Sequence, residues 1–355
     1  MMIKRNCFFF LTSLCLSGGL VATAQTPDKL ISKIAFGSCA SETAPQPIIN
    51  LVVQHRPDVF VYLGDNIYGD TYDMKVLKAK YDSLAAKPEY QNLKRNTRIL
   101  ATWDDHDYGW NDSGKYYPFK AESKQIFLNF FEEPEQSQRR KHEGIYTSYL
   151  FKENGKTLQL ILLDGRTFRS NLRPHRGELS WDHRFFYPLD YYPHQTEDST
   201  LLGEQQWQWL EKELRKPADI RIIGSGTQFS ISYNGYEAWA NFPHEQKRML
   251  NLIKKTGANG VVFISGDVHY GEISKLKEEG LYPIYDVTSS GLTSTWLFAA
   301  PNTNRIEGPV MENHFGLITI DWKKKNPDIK MEIWDVSNNQ RVEHTISLSE
   351  LSLKK

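Results

Sequence analysis

The sequence predicts an α/β protein built on parallel strands buried on both faces, and three stretches carry that prediction. Val59-Phe60-Val61-Tyr62-Leu63, Arg98-Ile99-Leu100-Ala101-Thr102-Trp103 and Gly260-Val261-Val262-Phe263-Ile264-Ser265 are short, mostly apolar runs rich in β-branched and aromatic residues, as expected of strands covered on both sides. Each run ends in a chemically loaded turn: Gly64-Asp65-Asn66-Ile67-Tyr68, Asp104-Asp105-His106-Asp107 and Gly266-Asp267-Val268-His269. Open α/β sheets bind ligands in the crevice at the carboxyl ends of their strands. Three such ends tipped with carboxylate or imidazole predict a metal site at one edge of a sheet.

Taken in order, residues 1–24 read as a secretory signal peptide. Lys4-Arg5 precedes a mostly apolar run from Cys7 to Val21, and Ala22-Thr23-Ala24 offers a small-x-small cleavage site. Cleavage is expected after Ala24, with export to the periplasm or beyond. Leu14 before Cys15 is too large for a lipidation site, and Lys4-Arg5 is not a twin-arginine pair. No later apolar run approaches the roughly 20 residues of a membrane span, so no stable membrane insertion is expected. Equal numbers of basic and acidic residues, 43 each, and a pI near 7.2 give no reason to expect a nucleic-acid partner. Beyond residue 24 the only cysteine is Cys39. A lone thiol in an oxidising compartment reads either as a small buried hydrophobe or as a metal-held thiolate. Its place directly after the strand-like Ile34-Ala35-Phe36-Gly37-Ser38 favours the second.

After that first strand, Pro45–His55 reads as a helix opened by proline, with Ile48, Ile49, Leu51, Val52 and Val53 as its apolar stripe. With strand 59–63 this forms a βαβ unit, hence parallel pairing. Residues 73–97 are helical in pattern, divided by Pro88, and Phe119–Phe131 reads as an amphipathic helix. Strand 157–163 ends at Asp164-Gly165-Arg166. Residues 170–200 form a long segment rich in Arg, His, Tyr, Trp and Pro, read as a lid because unstructured loops of that length are usually functional. A helix over 205–215, a strand over 220–223, a second aromatic loop over 229–243 and a helix over 244–256 follow. After Gly271 the short strands 282–288, 314–321 and 329–336 read as antiparallel and suggest a second sheet packed on the first. Residues 25–355 are expected to form a single domain.

The donors gathered at the strand ends are Cys39, Asp65, Tyr68, Asn111, Asp267 and His269. Each pair has an ordinary structural explanation when read alone; together they suit a mixed site, with a softer transition metal beside the sulfur and a hard cation such as calcium, magnesium or manganese on the oxygen-rich side. Close carboxylates such as Asp104, Asp105 and Asp107 repel unless cations offset them.

The ordered set Gly37-Ser38-Cys39, Gly64-Asp65-Asn66-Ile67-Tyr68, Trp103-Asp104-Asp105-His106-Asp107 with Asn111, Leu163-Asp164-Gly165-Arg166 and Ser265-Gly266-Asp267-Val268-His269 resembles the PhoD-like alkaline phosphatases, a branch of the calcineurin-like metallophosphoesterases. The resemblance implies a four-layer α/β/β/α sandwich, two mixed sheets flanked by helices. It also implies a two-metal centre, iron with calcium, held by Cys39, Asp65, Tyr68, Asn111, Asp267 and His269, with manganese, magnesium or zinc as other fits. The implied activity is hydrolysis of a small phosphate ester. Arg166 is expected to clamp the phosphoryl oxygens and His106 either to protonate the leaving group or to orient a ligand. Asp105, with Asp104, is expected to fix His106 and Asn111. Trp181, Tyr187, Tyr191 and Trp239 are expected to wall the pocket, with Trp181, Trp239 and Arg166 binding substrate, and Arg169, Arg173 and Arg176 adding reach to phosphate. The alternatives are a phosphodiesterase acting on lipid, teichoic-type or nucleotide diesters, and a non-catalytic exported metal-binding protein.

Overall fold

A computed structural model describes residues 28–175 and 189–354. Expectations for the signal peptide and for Arg176, Trp181 and Tyr187 lie outside the described residues. Two sheets dominate. In one, Lys33–Gly37, Val59–Leu63 and Arg98–Thr102 run parallel side by side, and the antiparallel strands His314–Ile320, Asp328–Asp335 and Gln340–Ser347 continue the sheet beyond Lys33–Gly37. In the other, Lys156–Leu162, Ile220–Ser225, Val261–Ser265 and Ile284–Ser289 are parallel neighbours. Thr147–Glu153 flanks one end, and Gly271–Leu276 with Arg305–Val310 the other, all antiparallel.

This division corrects two expectations. The strands after Gly271 do not make a sheet of their own: those from residue 314 onward join the N-terminal strands, while Ile284–Ser289 pairs parallel with Val261–Ser265. The loaded strand ends accordingly lie not on one sheet edge but on two, Cys39, Asp65 and Asp104–Asp107 on the first sheet and Arg166, Asp267 and His269 on the second.

The layering follows from the two-fold alternation of side chains along a strand. Ile34, Phe36, Val59, Val61 and Leu63 point into the core between the sheets, against Leu160, Leu162, Ile222 and Ile264. Ala35, Phe60 and Tyr62 point the other way, against helices Pro47–Gln54, Met74–Ala85, Pro88–Asn96 and Lys120–Phe130 through Ile48, Val52, Leu77, Tyr81, Leu93 and Phe127. Helices Gly203–Leu214 and Pro243–Thr256 cover the second sheet with Trp207, Leu210, Met249 and Ile253. Helix, sheet, sheet and helix make the four layers. At roughly 1.5–3 kcal/mol for each buried large side chain, this double core holds the two carboxyl edges together. Among the described residues no helix is long and apolar enough to cross a membrane.

Candidate metal centre

Gly64 is where the site begins. Its φ is +109°, and a Cβ there would meet the Asp104 Cβ at 2.4 Å, so only glycine lets two carboxylate-bearing turns touch. Asp107 then ties them together: its carboxylate accepts from the Asn66 backbone N–H at 2.9 Å and the Asp104 N–H at 2.6 Å. Cys39, on the neighbouring strand end, is paired to the same turn by an Ala40 N–H to Asp65 carbonyl bond of 2.8 Å. Cys39, Asp65, Asp267 and His269 all have positive φ, between 49° and 79°. Such backbone costs on the order of 1–3 kcal/mol per residue and persists only where surrounding structure over-determines it.

Among the expected donors, Cys39, Asp65, Asp267 and His269 come together across both sheets. The Cys39 sulfur lies 3.4 Å from an Asp65 carboxylate oxygen and 3.8 Å from the Asp267 carbonyl. Ligand atoms of Asp65, Asp105 and His106 lie within 4.8 Å of one another, as do those of Asp104, Asp105 and Asp267, and those of Asp105, Asp112 and Glu237. The second sheet's His269 is joined to Cys39 through Ser290, whose hydroxyl accepts the His269 N–H at 2.9 Å and sits 3.1 Å from the sulfur. His269 Nδ1 meets the Ser294 carbonyl at 3.0 Å, which leaves Nε2 free to ligate.

The electrostatics are those of a cation site. Burial, then the charges of Asp105, Asp104 and Asp107, raises Asp65 well above the usual carboxylate range. Burial, then Asp104 and Glu237, does the same to Asp267. Burial pushes Asp104 up to about 7 against the pull of Arg166. Asp105 is the exception: burial would raise it, but Arg166 and then His106 hold it down at about 2. Burial and the Asp65 charge also raise the Cys39 thiol. Asp65 Oδ1, Asp104 Oδ2, Asp105 Oδ1 and the Tyr68 hydroxyl are buried without a hydrogen-bond partner. An uncompensated buried carboxylate costs several kcal/mol, and a cation among the Asp65, Asp104 and Asp105 oxygens would offset that cost. The donor set fits a metal centre.

Several residues stand elsewhere than the sequence suggested. Arg166 is wholly buried: its Nε bonds Asp104, one terminal nitrogen bonds the Glu237 carboxylate at 2.8 and 2.9 Å, and the other lies 3.5 Å from Asp105. It balances carboxylates instead of facing open space. Arg169 is likewise buried beside Glu237, and Arg173 is exposed and bonded to the Pro193 carbonyl. The Asn111 side chain is exposed, and its backbone N–H donates to Asp70 at 3.0 Å; the next residue, Asp112, gives its N–H to Asp105. Trp239, expected in the pocket wall, is fully buried in the core against Phe229 and Trp207, with its indole N–H on Ser225. Tyr191 is half-buried and donates to Asp112.

Asp70, Asp112, Glu237 and Ser290 were missed. Asp70 grips His106 Nδ1 at 2.8 and 2.9 Å. Its place two residues past Tyr68 was a usable signal; Glu237, inside an aromatic loop, offered none.

The PhoD-like phosphatase family model matches residues 34–332. The chain is 28% identical over 284 residues to alkaline phosphatase D of Bacillus subtilis (strain 168), a stretch covering 68% of this chain and 46% of that protein, so it spans about half the length of that relative. A solved structure of PhoD superposes with a TM-score of 0.63 at 17% identity, covering 91% of this chain and 73% of that one. GAP50, the anchor in the inner membrane complex of Plasmodium, gives 0.56 at 14% identity, with 92% and 90% covered. A dimetal phosphatase from Danio rerio gives 0.51 at 14% identity, with 90% and 100% covered. These structural likenesses establish the fold.

Proposed function

The chain belongs to the PhoD-like phosphatase family, and from that premise we propose that it is an exported, metal-dependent phosphoric ester hydrolase with a two-metal centre. The observation that carries the reading is the convergence of Cys39, Asp65, Asp105, His106 and Asp267 from the ends of four different strands, with partnerless buried oxygens among them.

Asp65, beside both Cys39 and Asp105, would serve both halves of the centre. Cys39 and Tyr68 would offer a soft thiolate and a hard phenolate, a mixed pair that suits iron; Asp267 and His269, with Asp105 in the place first given to Asn111, would offer a set that suits calcium, with manganese, magnesium or zinc as the other fits. Bound cations would supply Lewis acidity, acidifying water near neutral pH and offsetting the charge of the phosphoryl oxygens.

The remaining roles belong to the chain itself. Burial pulls the His106 imidazole down, but the Asp70 hydrogen bond and the charges of Asp105, Asp70 and Asp104 outweigh it and lift it to about 9. A ring so poised holds its proton at neutral pH and can deliver it to the leaving oxygen. Asp70 fixes the ring by holding Nδ1, leaving Nε2 to face the substrate. Arg166 acts as a positioning residue, locking Asp104, Asp105 and Glu237 in place.

Release of nitrophenol from mono- and bis-nitrophenyl phosphate, with and without a chelator, tests the reading. Chelator-sensitive turnover supports it, the preferred ester separates monoesterase from diesterase, and no turnover under any metal leaves only a binding protein. Metal analysis of protein from its native compartment identifies the pair, and the N-terminal residue of that protein tests cleavage after Ala24.

A further inference from the structure

The loops that hold His106 and Asp70 also carry an aromatic surface that the metal centre does not use. Trp110 and Tyr72 are 45% and 52% exposed, yet their rings stack with centroids 5.4 Å apart and an interplanar angle of 23°. Their floor is buried Tyr117, 5.5 Å from Tyr72, whose hydroxyl donates to the Thr71 carbonyl. Gly109 lies directly on that floor: a Cβ there would meet Tyr117 ring atoms at 2.3 Å.

Backbone pairing locks this platform to the acid. The Gly69 N–H donates to the His106 carbonyl at 2.9 Å, the Thr71 N–H to the Gly109 carbonyl at 2.9 Å, and the Asn111 N–H to the Asp70 carboxylate at 3.0 Å. Tyr72 thus lies two residues past Asp70, which grips His106, and Trp110 lies four residues past His106. The aromatic group on the other side differs: Trp296 is half-buried, stacked 5.3 Å from His269 and 5.3 Å from Phe298, its faces already occupied.

Single exposed aromatics are ordinary on a protein surface. Tyr72 uses its faces on Trp110 and on Tyr117 with Phe119, so the pair offers a flat partner the outer face of half-exposed Trp110, on a rigid base beside His106. We infer that Tyr72 and Trp110 form the subsite for the alcohol half of the ester, and that this half carries a planar aromatic substituent, a nucleobase, which stacks on Trp110. The inference rests on phosphoester hydrolysis with His106 on the leaving-group side.

Adenosine 5′-monophosphate and ribose 5-phosphate share the same scissile bond and leaving oxygen and differ in the base, so the ratio of their kcat/KM isolates stacking. The wild type is expected to favour the nucleotide by about tenfold, mainly through KM, in the lower part of what one base–aromatic stack contributes. Trp110→Ala is expected to bring the ratio near one, and Trp110→Phe to keep most of it. Hydrolysis of both esters with a ratio near one in the wild type, or a ratio untouched by Trp110→Ala, overturns the platform and leaves the hydrolase standing. If neither ester is hydrolysed, titration of intrinsic fluorescence with adenosine 5′-monophosphate decides. A saturable quench abolished by Trp110→Ala supports the platform while the hydrolase reading fails; no Trp110-dependent quench overturns the platform.

Discussion

His106 and His269 reach one cluster of carboxylates from different sheets and meet opposite environments. His106 opens the turn after Arg98–Thr102 with its Nδ1 against the Asp70 carboxylate, and neighbouring charge lifts it to about 9. His269 follows Val261–Ser265 with its Nδ1 on a backbone carbonyl, and burial, aided by the charge of His106, lowers it. A charged imidazole can give a proton; a neutral one can hold a metal. Environments that push two titratable groups apart suggest different roles: here the Asp70 carboxylate raises one ring, while burial lowers the other against the pull of its carbonyl partner.

The strongest way to break this contrast is to remove each ring. His269→Ala is expected to lose bound metal and to lower kcat/KM for nitrophenyl phosphate by on the order of 10³, the several kcal/mol that a metal's charge supplies. His106→Ala should keep its metal while kcat falls by about 10²–10³. Metal analysis beside kinetics checks both, and loss of metal from the His106 variant would make that ring a ligand instead.

Asp70→Asn sharpens the same point with a smaller effect, a loss of about 10–100-fold. An acid works only while protonated, so activity falls as pH rises through its pKa. Without the Asp70 carboxylate that pKa drops, and the basic limb of the rate profile should move to lower pH. An unmoved limb would assign it to another group.

Stability should reveal the carboxylate side of the contrast. Asp65, Asp107 and Asp267 are raised in the folded chain chiefly by burial, and Asp104 and Asp112 reach about 7 against an ordinary value of 3.8. Carboxyls raised on folding add stability that is fully present below their unfolded values and is lost as pH climbs through their folded ones. Asp105, held near 2, works the other way, but only below the ordinary carboxylate range. Chelator-stripped protein should therefore lose several degrees of Tm between about pH 5 and about pH 8, and added divalent cation should flatten the slope. A slope indifferent to metal would separate the buried carboxylates from cation binding. The smallest effect expected is that of Asn111→Ala, within about twofold in kcat/KM, since surface changes away from key contacts seldom matter; a large loss would return Asn111 to the ligand set.

Much of the fold could be read locally. The apolar runs at 59–63, 98–103 and 260–265 became strands Val59–Leu63, Arg98–Thr102 and Val261–Ser265, and Pro88 does divide two helices, Met74–Ala85 and Pro88–Asn96. Burial on both faces leaves an apolar run, and proline breaks a helix, wherever they occur. Partnership could not be read that way. Nothing local says that His314–Ile320 pairs with Lys33–Gly37, nearly three hundred residues away, because register between distant strands is set by the core they close together. Arg166 and Trp239 show the same limit: an arginine after an Asp-tipped strand and a tryptophan in an aromatic loop look alike in sequence whether they face substrate or interior.

The chain's own order of residues determined which chemistry is present: thiol, phenol, imidazole and carboxylates, each placed at a strand's end by an apolar run that stops. Tertiary structure decided which of them meet, that Asp105 and Glu237 join while Asn111 stays outside, and that His106 is pushed up while His269 is pushed down. The reason is physical: charge and hydration at a buried site are sums over neighbours drawn from two sheets, and those neighbours exist only after the sheets have packed.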